Sequence, residues 1–257
     1  MGYYDESHIM IAKDCPPPQP SPSRGEGVCR LYLISPPSID LPKFSDSLKA
    51  AFDGGDVGSF QLRLKNASDS EILKAAETLL PICQQYEAAF IMNDRPDLAV
   101  KCGADGVHVG QDDLASYTSP LPNPPPHAGE GINAIRAIIG EDRVIGVSCH
   151  DSRHLAMEAG EQGADYVAFG AFYPTKSKDP EKLARYGIPT PGLLSWWQEN
   201  TVLPCVAIGG MTPSNCVPLA RAGADFIAVI TAVWEHPGGP KKAVEEFNDV
   251  ILRTAKQ

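Results

Sequence analysis

Gly103-Ala104-Asp105-Gly106-Val107-His108-Val109 joins the end of a helix-like stretch to a β-branched run. The same opening returns as Gly163-Ala164-Asp165-Tyr166-Val167 and Gly223-Ala224-Asp225-Phe226-Ile227. A glycine placed there closes a helix in the left-handed conformation, after which the aspartate starts the return into a sheet. Three matching αβ turns favour a closed barrel of repeated units over an open sheet. Outward from these joins, eight short runs alternate with longer amphipathic stretches: Leu31 to Ile34, Ser59 to Leu64, Ala89 to Asn93, Gly106 to Val109, Val144 to Ser148, Tyr166 to Gly170, Cys205 to Gly209 and Phe226 to Ile230. That alternation is the sequence form of βα units. Within Ser68 to Ala88, for example, Ile72, Ala75, Ala76, Leu79, Leu80 and Cys83 recur at helical spacing, with Pro81 expected to kink the helix. The fold class that follows is α/β, a single-domain (β/α)8 barrel, and 257 residues suit an architecture that takes about 250.

Composition removes several classes of function. A net charge of -10 lacks the basic excess that a polyphosphate backbone demands, so nucleic acid is not an expected partner. No run is apolar enough to span a bilayer, and Met1 to Lys13 has no signal-like apolar core, so no membrane partner and a cytoplasmic location are expected. The seven cysteines contain no C-x-x-C pair and read as free thiols, Cys149 as a small apolar filler near a strand end.

Two proline-rich stretches, 18–27 and 122–131, are identical at six of ten positions and end in Gly-Glu-Gly. Such prolines continue neither a helix nor a central strand. The expected organisation is therefore a flexible N-terminal segment over 1–29 and a barrel over 30–257, with a proline-rich loop insertion at 119–131 that loops away from any site.

The polar residues gather at the ends of the strands. In Phe60-Gln61-Leu62-Arg63-Leu64-Lys65 a period of two puts Gln61, Arg63 and Lys65 on one face, pointing into the barrel, and the apolar residues on the other. Two cations and an amide there suit a diphosphate; the alternative is an internal salt bridge. Asp94 follows the third strand and Asp113 the fourth, a pair of carboxylates that suits a magnesium diphosphate site, helix capping being the alternative. His108 and His150 are too sparse for a histidine metal site, and His108 reads as packed and hydrogen-bonded. The loop Tyr173-Pro174-Thr175-Lys176-Ser177-Lys178 follows strand six, where Lys178 binds phosphate or is simply solvated. Ala207-Ile208-Gly209-Gly210-Met211 and Val229-Ile230-Thr231-Ala232 stand where barrels of this kind place a phosphate cup.

In order along the chain, Gln61-Leu62-Arg63-Leu64-Lys65, Asn93-Asp94-Arg95, Gly106-Val107-His108-Val109-Gly110-Gln111-Asp112-Asp113-Leu114, Gly146-Val147-Ser148, Pro174-Thr175-Lys176-Ser177-Lys178 and Ala207-Ile208-Gly209-Gly210 resemble the thiamine phosphate synthase family. The resemblance implies a magnesium-dependent transferase that condenses a hydroxymethylpyrimidine diphosphate with a thiazole phosphate, giving thiamine phosphate and pyrophosphate. It implies that Gln61, Arg63, Lys65, Asn93 and Lys178 hold the pyrimidine diphosphate, with Arg63, Lys65 and Lys178 as the catalytic cations. Asp94 and Asp113 would bind Mg2+ and Ser148 the pyrimidine; Thr175, Ser177, Gly210, Ile230 and Thr231 would hold the thiazole phosphate. The implied chemistry is dissociative: pyrophosphate leaves, a pyrimidine methyl cation forms, and the thiazole nitrogen attacks it. Ser177 stands for the family's more usual Thr and Thr231 for its more usual Ser, each keeping a hydroxyl. A thiazole tautomerase and a catalytically silent regulator on the same fold are the alternatives; Asp94, Asp113 and Lys178 together favour synthesis.

Overall fold

Every expected run forms a strand in the computed structural model, which describes residues 29–114, 116–117, 131–175 and 186–255. The strands are β1 (Arg30–Ile34), β2 (Val57–Leu62), β3 (Ala89–Asn93), β4 (Gly106–Val109), β5 (Val144–His150), β6 (Tyr166–Phe169), β7 (Cys205–Ile208) and β8 (Phe226–Val229). Each pairs in parallel with the next, and β8 returns to β1, so the sheet closes. The proline-rich stretches at 18–27 and 122–130 and Cys15 lie outside the described residues. The other six cysteines are free thiols. Among the described residues no helix is long and apolar enough to cross a membrane.

The helices are α1 (Leu41–Phe52), α2 (Asp69–Gln85), α3 (Pro96–Cys102), α4 (Gln111–Leu114), α5 (Gly131–Ile139), α6 (Arg153–Glu161), α7 (Pro191–Asn200), α8 (Val217–Arg221), α9 (Thr231–Trp234) and α10 (Gly239–Ala255). Ser68 and Glu71 start α2 with a reciprocal capping box, and the helix runs on through Pro81. Outward side chains such as Phe60, Leu62, Phe90 and Phe169 pack against the helices in one core. Inward ones, among them Tyr32, Ile91, Tyr166, Val206 and Phe226, fill the barrel in a second.

The three Gly-Ala-Asp joins act as read from the sequence, with Gly103, Gly163 and Gly223 at φ 74°, 94° and 101°. The aspartates do more than turn the chain. Asp105, Asp165 and Asp225 each take a backbone N–H of the preceding strand on the carboxylate, from Phe90, Ile145 and Cys205, all at 2.7 Å. Each also donates its own N–H to that residue's carbonyl. The fourth even-numbered strand has a variant of the device, for Asp56 before β2 pairs with Arg30 of β1 at 2.6 Å. These clamps hold the closed end of the barrel in register and leave the other end to the loops.

Strand two ends earlier than its alternation suggests, at Leu62 rather than Leu64. The reason is non-local: the Ser35 hydroxyl takes the Arg63 N–H at 2.8 Å, and the Pro37 carbonyl takes that of Lys65 at 2.8 Å, which draws the chain off the sheet. Arg63 and Lys65 are therefore loop residues at the strand's exit, and only Gln61 keeps the inward strand position. Strand five runs two residues further than expected, with a register shift between Ser148 and His150.

Gly146 lies opposite Tyr166 in the sheet, and a Cβ there would stand 1.9 Å from the tyrosine ring. Gly146→Ala is expected to destabilise the fold by about 1–3 kcal/mol through overpacking. Urea or thermal unfolding measures the loss; an unchanged midpoint would mean that the ring has room to move.

Candidate active site

The strand ends surround a cavity of about 640 Å³ at the C-terminal mouth of the barrel. Gln61, Arg63 and Lys65 reach it from β2 and its exit, Asn93 and Asp94 from β3, Asp113 from α4, and Ser148 from β5. Thr175, Gly210, Ile230 and Thr231 complete the opposite side. All the described candidates thus border one space. Ser177 and Lys178 lie outside the described residues.

Arg63 is half-buried, and its guanidinium makes no hydrogen bond or ion pair with a described residue. Burial lowers its pKa, and the charge of Asp94 opposes that shift. An internal salt bridge, the alternative weighed above, is absent among the described residues. Asp94 occupies the left-handed region at φ 57°, with its N–H on the His108 carbonyl at 2.8 Å. Its carboxylate accepts from Asn93 Nδ2 and from the Gly110 amide; its pKa is raised, first by burial and then by the charge of Asp113. Gly110 also adjoins the other acid, since a Cβ on it would stand 2.8 Å from Asp113 Oδ2. One glycine therefore lies between the two carboxylates, and two like charges there favour a cation.

Arg95 turns away from the cavity. It pairs with Asp69 and Asp97, tying the start of α3 to the start of α2.

A hydrogen-bond chain crosses the cavity floor. Asn93 Nδ2 donates to Asp94; Gln61 Nε2 lies 2.6 Å from Asn93 Oδ1; and Tyr32 Oη lies 3.2 Å from Gln61 Oε1. Tyr32 and Tyr166 then meet at 3.0 Å, Tyr166 and His108 Nδ1 at 3.0 Å, and His108 Nε2 and Ser148 Oγ at 3.0 Å. With Asp94 ionised and His108 neutral, donor inventory sets the direction of every link. An ionised carboxylate accepts only, so it fixes the Asn93 amide, which fixes that of Gln61, which makes Tyr32 the donor. Each tyrosine has one hydrogen, so Tyr166 donates to Tyr32 and accepts from His108 Nδ1. A neutral imidazole then accepts on Nε2, and Ser148 spends its hydrogen there. His108 is thus packed and hydrogen-bonded, as the sequence suggested.

Sequence reading missed both tyrosines, which lie in apolar runs and reach one another only when the barrel closes. It also missed Tyr186, whose ring stacks on that of His150 3.5 Å away and 4° from parallel at the cavity wall. Cys149 is the buried filler expected, its thiol pushed up to about 12 by burial.

The glycine pair after β7 serves the protein itself. A Cβ on Gly209 would stand 2.4 Å from that of Ala171, and one on Gly210 would stand 2.5 Å from the Pro174 carbonyl oxygen. The pair thereby lets the strand-six exit pack close. Asn215 Nδ2 holds the Gly210 carbonyl at 2.9 Å, and Trp234 Nε1 donates to the Ile34 carbonyl at 2.7 Å, which pins α9 to the end of β1.

A closed parallel barrel with a cavity at its C-terminal mouth that charged and polar strand-end side chains border has the plan of the (β/α)8-barrel enzymes. The sequence pattern of the family described as thiamine monophosphate synthase matches residues 31–119 and 128–233. A thiamine-phosphate synthase of Rhodospirillum centenum is 52% identical over 223 residues, covering 87% of this chain and 98% of the relative. One of Hyphomonas neptunium is 44% identical over 227 residues, covering 85% and 92%. Among solved structures, thiamine phosphate pyrophosphorylase from Pyrococcus furiosus superposes with a TM-score of 0.70 at 28% identity, covering 89% of this chain and 98% of that one. The chain belongs to the thiamine monophosphate synthase family, and it is an enzyme.

Proposed function

We propose that the chain condenses 4-amino-2-methyl-5-hydroxymethylpyrimidine diphosphate with a thiazole phosphate, releasing pyrophosphate. The observation that carries this reading is the meeting of Arg63, Lys65, Asp94 and Asp113 around one cavity, with Arg63 and Asp94 sensing each other's charge. A half-buried guanidinium without a described partner is poised for an anion, and desolvation strengthens its hold on one.

The acids suit Mg2+, which takes one or two carboxylates and completes its shell with phosphate oxygens and water. Among the described residues no group of three or more His, Cys, Asp or Glu side chains could hold a metal, so substrate oxygens would supply much of the shell. Asp94 and Asp113 would hold the ion, and when bound it would neutralise charge on the departing diphosphate. Arg63 and Lys65 would donate to the same oxygens, a stabilisation that grows as the carbon–oxygen bond breaks. Lys178 would join them by its resemblance to the family pattern.

With His108 neutral, Ser148 would give its hydrogen to the imidazole and be left an acceptor, which suits the exocyclic amino group of the pyrimidine. Gln61 and Asn93 are held by the same chain and would orient the ring. Thr175, Gly210, Ile230 and Thr231 face them from the strand-six to strand-eight side and would hold the thiazole phosphate, and Ser177 would join them by its resemblance to the family pattern.

The test is pyrophosphate release from purified protein given both phosphorylated substrates. Release that requires both substrates and Mg2+ is expected; release indifferent to chelator, or none at all, would overturn the reading.

A further inference from the structure

Tyr117 lies outside every motif that carries the family resemblance. It follows α4 at the edge of the segment 118–130, is half-buried, and sends its hydroxyl to the backbone carbonyl of Asp94. Asp94 has a left-handed backbone, a conformation that aspartate tolerates better than most side chains and that its surroundings here fix. Two bonds do so. The Asp94 N–H is fixed on the His108 carbonyl, and the Asp94 carbonyl on Tyr117.

The backbone of Tyr117 is tied to the second acid. Asp113 N–H and Leu114 N–H both donate to the Gly110 carbonyl, Ser116 N–H to that of Asp113, and Tyr117 N–H to that of Leu114. Tyr117 is thus one hydrogen-bonded turn from Asp113. Its own carbonyl accepts from Gly131 N–H at 3.1 Å, which brings the chain before residue 118 against the chain after residue 130. One residue therefore contacts the Asp94 peptide through its side chain, and through its backbone the Asp113 turn and the first residue of α5.

We propose that Tyr117 is a positioning residue that sets the separation of the Asp94 and Asp113 carboxylates and so holds the cation site in shape. The inference rests on the metal reading above. Without the hydroxyl the Asp94 backbone keeps only its N–H bond to the His108 carbonyl, and the carboxylate is held only by Asn93 Nδ2 and the Gly110 amide, so its separation from Asp113 is less tightly set. Both acids remain present, so the loss falls on the affinity for the cation rather than on the chemistry once the cation is bound.

The experiment is titration of Mn2+, read by electron paramagnetic resonance, into the full-length protein with inorganic pyrophosphate, for wild type, Tyr117→Phe and the control Tyr86→Phe. Tyr86 bonds Asp53 on the surface and stands in none of the site machinery. Loss of one hydrogen bond predicts Mn2+ affinity about fivefold to tenfold weaker in Tyr117→Phe. Turnover should need correspondingly more Mg2+, kcat at saturating Mg2+ should stay within about twofold, and Tyr86→Phe should match wild type in both. Unchanged Mn2+ affinity in Tyr117→Phe, or a kcat loss that Mg2+ does not restore, would overturn the proposal. Wild type that fails to hold Mn2+ with pyrophosphate would overturn the metal reading itself, and this inference with it.

Discussion

Arg63→Ala is expected to lower kcat for pyrophosphate release by about 10²–10³-fold, the cost of removing one preorganised charge donor from a developing anion. The expectation follows from where the strand ends. Because β2 leaves the sheet at Leu62, the Arg63 side chain springs from the strand's exit and borders the cavity mouth, half-buried, without a described partner. Burial pulls its pKa down and the charge of Asp94 pulls it back, so the cation is held at some cost to the fold. The same substitution should therefore leave the unfolding midpoint unchanged or raise it. Arg63→Lys should restore only part of the rate, because an ammonium cannot make the paired bonds of a guanidinium to two phosphate oxygens. A kcat within about threefold of wild type for the alanine variant would remove Arg63 from the chemistry.

Asp94→Asn should cost a comparable factor, about 10²–10³-fold, and most of the dependence on Mg2+ with it. The carboxylate is raised in pKa first by burial and then by Asp113, so it enters the site under repulsion that a cation relieves. The amide keeps the shape and tolerates the left-handed backbone as well as any side chain other than glycine does. What it lacks is the charge for the ion and the acceptor-only group that fixes the direction of the chain running to Ser148. Initial rates against Mg2+ concentration separate these effects: the variant should show a shallow, unsaturated dependence where wild type saturates. A wild-type Mg2+ profile in Asp94→Asn would assign the ion elsewhere.

Much of the fold was legible because its signals are local and repeated. The Gly-Ala-Asp joins recur before β4, β6 and β8 for one mechanical reason, the need for a left-handed residue and then an acceptor for the neighbouring strand's N–H. What the sequence hid was set by partners far along the chain. Strand two stops short because Ser35 and Pro37 compete for its last N–H groups, and no alternation within residues 57–65 encodes that. Of the site, the described candidates border one cavity because charged side chains at strand exits have few other places to go. Tyr32, Tyr166, Tyr186 and Tyr117 escaped notice because a tyrosine in an apolar run or a loop reads as packing until the barrel closes. Only then do the hydroxyls of Tyr32, Tyr166 and Tyr117 find the amide, imidazole and peptide groups they bind.

The proposed chemistry needs cations and acids that act together on one diphosphate, and calorimetric titration of pyrophosphate with and without Mg2+ tests that coupling most directly. The ion should tighten pyrophosphate binding by at least about tenfold, pyrophosphate should tighten Mg2+ binding by the same factor, and Asp94→Asn should abolish both effects. Equal pyrophosphate affinity in the presence and absence of Mg2+ would contradict it.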